Sequence, residues 1–157
     1  PVSYLIPAIF FSGCIVFAVS WLCGKKSTIK YRIPFAFFLA YILVIFRIAF
    51  LCREPGSRKA ISLVLFETWG HTFHMHAMFV ENIIMFIPFG VLLPILFGKF
   101  RSGWACVLTG FICSCSIEIL QHIIQTGYLQ LDDVVTNTTG TLLGWFIWRA
   151  WKVDRKI

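Results

Sequence analysis

The chain predicts an all-α fold, a polytopic bundle of about five membrane-spanning helices. Of its 157 residues, 59% are hydrophobic and only 13% charged, and the mean hydropathy is +0.83. A soluble domain of this size needs far more polar surface. The charges come in short bursts between apolar runs close to the ~20 residues that cross a bilayer core. Ten of the fourteen basic residues also fall in three segments that five spans place on one side.

The expected spans are residues 4–23, 33–52, 75–97, 104–124 and 133–151. The first has no basic residue before it and is followed by Lys25 and Lys26, so it reads as a span rather than a cleaved signal. Residues 53–74 form the longest non-spanning stretch. Glu54, Pro55 and Gly56 mark a turn, and the apolar run 61–66 is too short to cross. It is expected to form an interfacial or re-entrant helix, with Trp69 near the headgroups. The third span contains Pro88 and Pro94, tolerated where neighbouring helices satisfy the freed carbonyls. The fifth carries Gly140 and Gly144, a spacing that lets helix backbones approach closely, here read as packing within the bundle.

Lys25, Lys26, Lys30 and Arg32 follow the first span, Lys99 and Arg101 the third, and Arg149, Lys152, Arg155 and Lys156 the fifth. The positive-inside rule makes that side cytoplasmic, with the N-terminus out and the C-terminus in. The +7 net charge is then topogenic, and no nucleic-acid partner is expected. No repeat or linker divides the chain, so residues 1–157 read as one domain. The cysteines (Cys14, Cys23, Cys52, Cys106, Cys113, Cys115) lack C-x-x-C spacing and read as packing residues.

In this topology the polar residues converge on the outer leaflet. Six of the seven acidic residues fall on that side. Arg47 lies in the outer third of its span, Asn82 and Glu81 open the third, and Glu118, Gln121 and Gln125 close the fourth. Asp132, Asp133 and Asn137 open the fifth. Glu118, Gln121 and Gln125 share a helix face at i, i+3, i+7. Ionisable groups at such depth are candidate functional sites and face the bundle interior. One aspartate of the pair can instead cap its helix, and Arg47 can pair with Glu118.

Three chemistries suit these residues: oxygen ligation of a hard divalent cation, acid–base catalysis by Glu118 and Asp133, or recognition of an amphiphile's head. The spacing selects none of them, assigns no cofactor, and leaves open whether the protein is an enzyme. His71, His74 and His76 read as interfacial and solvated, and His122 as facing headgroups. Ser116, Thr136, Thr138 and Thr139 have no histidine in register for nucleophilic catalysis.

Residues 81–90 (E-N-I-I-M-F-I-P-F-G), 117–121 (I-E-I-L-Q) and 132–140 (D-D-V-V-T-N-T-T-G) resemble, in order and separation, the three signature elements of VanZ-like membrane proteins. The resemblance covers a little under half the chain. It implies shared polar residues at Asn82, Glu118, Gln121, Asp133 and Asn137, and structural ones at Pro88, Gly90, Gly140 and Gly144. The chain departs from the family's pattern at 62–66, which lacks an Asn and a Pro, and at Gly127 and Gln130, where an Arg and an acid are common. The resemblance implies a multi-pass protein of the bacterial plasma membrane with a role in teicoplanin-type glycopeptide resistance. Expected partners are membrane lipids, a lipoglycopeptide or a lipid-linked cell-wall intermediate. An enzyme acting on a lipid headgroup and a structural partner protein are the alternatives.

Overall fold

The computed structural model describes residues 29–52, 56, 61–66, 69 and 73–154. The expected span at 4–23 and His71 lie outside the described residues. The chain divides into two compact units, Pro1–Ile48 and Ala49–Ile157.

In the first unit, α1 runs Ile29–Phe46, and a π-helical turn, Arg47–Leu51, continues it across the unit boundary. Pro34 is its sixth residue and has no N–H to offer the Lys30 carbonyl one turn earlier. Phe38 and Tyr41 stand side by side along it, their rings tilted and their centroids 6.5 Å apart.

The second unit contains β1 (Ile61–Ser62), α2 (Phe73–Leu96), α3 (Gly103–Ile124), β2 (Leu129–Gln130) and α4 (Leu131–Asp154). The 3₁₀ turn Gly98–Arg101 joins α2 to α3. The helices run up, down and up. Added Cβ atoms at Gly140 and Gly144 would strike the carbonyls of Ile83 and Ile87, which fixes α2 and α4 as parallel neighbours. Gly103 meets Trp145 and Gly110 meets Thr141, which makes α3 antiparallel to α4. Helix α4 is therefore enclosed from two directions, and its small residues let two backbones approach. Gly140 and Gly144 are thus used within the chain.

Pro94 has no N–H to offer the carbonyl of Gly90 one turn earlier. The Cys106 thiol of α3 donates to that carbonyl at 3.9 Å. Cys106, fully buried, has a polar duty beside its packing role.

Among the described residues, three helical stretches are long and apolar enough to cross a membrane: Arg32–Leu51, Met75–Leu96 and Gly103–Ile124. Ile84, Phe111, Ile112, Ile119, Ile123, Phe146 and Ile147 are large apolar side chains exposed on the unit's exterior, while Ser114, Glu118, Gln121, Thr126, Asp132, Thr136, Asn137 and Thr141 are buried. Such an exterior is unsustainable in water and natural in lipid. This is a membrane protein. Helix α4 is as long as α2 but more polar. Its threonines are accommodated by back-bonding one turn, as in Thr138 to the Val134 carbonyl and Thr141 to the Asn137 carbonyl.

The run 61–66 corrects one expectation, because it is not helical. Ile61 and Ser62 pair in parallel register with Leu129 and Gln130. Gly56, at φ 81°, donates its N–H to the Gln125 carbonyl at 3.0 Å, and the Phe66 N–H donates to Asp132 Oδ1 at 2.6 Å. The segment is a strap laced along the α3–α4 connection. Its backbone groups find partners there instead of within a helix.

Candidate functional site

Three turns of α3 present Ser114, Glu118 and Gln121 on the buried face that also carries Cys106 and Gly110. These positions recur every three or four residues, so one helix stripe meets α4 along its length. Helix α4 answers with Asn137, whose Nδ2 donates to Ser114 Oγ at 2.9 Å. One turn beyond, Glu118 Oε2 accepts the Gln130 N–H at 3.0 Å, fixing β2 to α3. Gln121 Nε2 donates to the Ala49 carbonyl at 3.1 Å, a group at the end of a helix where carbonyls lack partners.

At the start of α4 the two aspartates diverge. Asp132 is buried, 2% exposed, and holds the strap through Phe66. That residue adopts φ 63°, an uncommon conformation for a bulky side chain, and the carboxylate bond helps hold it there. Asp133 is half-buried and accepts from Asn82 Nδ2 of α2 at 2.8 Å. The chain therefore gathers Asn82, Glu118, Gln121, Asp132, Asp133 and Asn137 at one end of the second unit. Arg47, the seventh expected residue, opens the π turn and belongs to the first unit.

Two buried side-chain atoms at this end have no hydrogen-bond partner: Asn137 Oδ1 and His122 Nδ1. Asn137 is 3% exposed, and a buried amide oxygen without a donor costs about 1–3 kcal/mol. His122 stands one turn beyond Glu118 on α3, and Asn137, on α4, meets Ser114 one turn before that carboxylate.

The sequence reading missed Ser114, Thr126 and Thr136 as members of this interior. Ser114 was within reach, since it precedes Glu118 by four residues. Thr126 was not. It is buried because Gln125 ends α3 in the left-handed region, at φ 60°, and turns the Thr126 N–H onto the Gln121 carbonyl at 2.9 Å. Ser116 is exposed and back-bonds to Ile112. His76 lies against Trp69, centroids 4.4 Å apart. Among the described residues no three or more His, Cys, Asp or Glu side chains are grouped to hold a metal ion.

A family model described as VanZ/LLP1 matches residues 33–152. The chain belongs to that family. The matched stretch contains every residue of the cluster, together with Arg47. Protein VanZ of Enterococcus faecium is 36% identical over 106 residues, covering 65% of this chain and 62% of that protein. The match thus spans less than two thirds of the relative's length. No solved structure matches.

Proposed function

We propose that the polar cluster at the start of α4 binds the head of an amphiphile at the outer leaflet of the bacterial plasma membrane. The ligand is a membrane lipid, a lipid-linked cell-wall intermediate or a lipoglycopeptide, and its engagement lowers sensitivity to teicoplanin-type glycopeptides. Family membership supports the resistance role. The bias of basic residues supports the orientation, with five spans, N-terminus out and C-terminus in.

The observation that carries the binding reading is Asn137 Oδ1, a buried acceptor without a donor beside polar groups that are largely hydrogen-bonded. A ligand hydroxyl would supply that donor. A hydroxyl suits this level better than an ammonium group, because a neutral donor crosses into a closed interior at much lower desolvation cost.

A second reading, that the carboxylates only fasten the fold, is favoured by Glu118 and Asp132 each accepting a loop backbone N–H. The two readings separate by experiment. Native mass spectrometry would follow retention of glucosyl diacylglycerol, which has hydroxyls, against phosphatidylcholine, whose headgroup has no donor. The wild type is expected to retain the glycolipid, and Asn137→Ala, Glu118→Gln and Asp133→Asn to lose it while keeping their melting temperatures. In cells, the same variants lose the resistance phenotype. Equal retention of both lipids by all four proteins would overturn the binding reading, and so would loss only in variants that also unfold.

A further inference from the structure

The opposite end of the second unit carries its own built feature. The 3₁₀ turn between α2 and α3 bears Lys99 and Arg101, and the last turns of α4 bear Arg149 and Lys152, all four exposed. Residues 82–117 and 134–153 contain no Asp or Glu, and the acid nearest in sequence, Asp154 at the end of α4, is followed by Arg155 and Lys156.

Trp145 organises the group. Its ring is buried against Gly103, where an added Cβ would stand 3.0 Å from the ring. Its Nε1–H donates to the Arg101 carbonyl at 3.3 Å, so the 3₁₀ turn is pinned to α4. The Arg149 guanidinium lies over the same ring, 5.2 Å from its centroid, and Lys152 lies over Trp148 at 5.3 Å. The indole faces attract these cations and limit where they can swing. Trp104, 76% exposed, and Trp151, 53% exposed, flank the group with rings of the kind that settle at headgroup depth.

We infer that this end is a binding site for the headgroup of an anionic phospholipid. Cations from two chain segments, brought together where Trp145 pins the 3₁₀ turn to α4, face the level at which lipid phosphates lie, and exposed tryptophans pack beside the upper acyl chains. The site is separate from the acidic cluster, at the other end of the same three helices, and does not depend on the function proposed for that cluster. A merely diffuse positive field would depend on the number of charges alone. A built site depends also on where they stand and on the Trp145 pin.

The test reconstitutes the full chain in phosphatidylcholine nanodiscs doped with phosphatidylglycerol or with cardiolipin. Retained lipid is read by native mass spectrometry, and the lipid-dependent rise in melting temperature is read alongside. Each juxtamembrane cation contributes about fivefold to anionic-lipid affinity, so Arg101→Gln/Arg149→Gln is expected to weaken retention about 25-fold. Lys25→Gln/Lys26→Gln removes the same charge elsewhere on the expected cytoplasmic side and should leave retention near wild type. Trp145→Phe, with no charge removed and helicity checked by circular dichroism, should also lose retention. Equal weakening by the two charge variants would overturn the site in favour of a diffuse field. So would wild-type protein that holds no anionic lipid above phosphatidylcholine.

Discussion

Gly144→Ala tests one of the closest approaches between α2 and α4. The new methyl would fall on the Ile87 carbonyl oxygen and stand 3.0 Å from Gly90 Cα and from the Ile87 carbonyl carbon. Carbon–carbon contacts are favourable only at about 3.5–4.0 Å. Every atom struck is main chain of α2, so no rotamer change relieves the overlap and the helix itself must move. Overpacking of this kind costs up to about 3 kcal/mol, and alanine recovers about 1 kcal/mol through its helix propensity. The expected net loss is about 2 kcal/mol. Gly140→Ala meets Ile83 one turn earlier, and the double variant should lose less than the sum, because one displacement of α2 accommodates both methyls. The assay is reversible unfolding in mild detergent followed by circular dichroism. Alanine at Gly98, where nothing lies within 4 Å, serves as the control. A Gly144→Ala protein as stable as wild type, or more so, would refute the parallel α2–α4 packing.

Removing the carboxylate that holds the strap, by Asp132→Ala, should lose about 1.5–3 kcal/mol, the range for a hydrogen bond to a charged group. Hydrogen exchange should accelerate at Phe66 and at the paired residues 61–62, and unchanged protection there would contradict the lacing. A double-mutant cycle on Asn82→Ala and Asp133→Ala should return a coupling of about 1 kcal/mol between α2 and α4, whereas zero coupling would show that the 2.8 Å bond is energetically idle. In detergent, maleimide should label exposed Cys52 well before buried Cys106. Cys106→Ala should cost more than Cys106→Ser, by about 1 kcal/mol in melting experiments, because serine keeps a donor for the Gly90 carbonyl.

Helices were the most legible part of the sequence. Apolar length placed the stretches at 33–52, 75–97 and 104–124 within a few residues of their observed limits, since crossing hydrocarbon imposes one requirement on every such segment. Residues 133–151 were legible for a different reason, the stripe from Asp133 through Asn137 to Gly140 and Gly144. The strap was misread because composition reports that 61–66 is apolar but not where its backbone bonds go. That depended on Leu129 and Gln130, more than sixty residues away, and on Asp132. The gathering of six polar residues followed from shared depth. Their individual partners did not, since depth alone cannot distinguish Asp132 holding a loop from Asp133 holding a helix.

The enclosure of α4 bears on how the protein is made. Its polar stripe makes it a poor candidate for entering hydrocarbon alone, and among the described helices it is synthesised last. The hairpin of α2 and α3 precedes it and offers two faces ready to receive it. Until α4 docks, Ser114 lacks its Asn137 partner, and the polar stripe it shares with Glu118 and Gln121 lies open on the side that α4 covers. A chain stopped before residue 131 would therefore leave the polar stripe of α3 unsealed. Docking of α4 covers it.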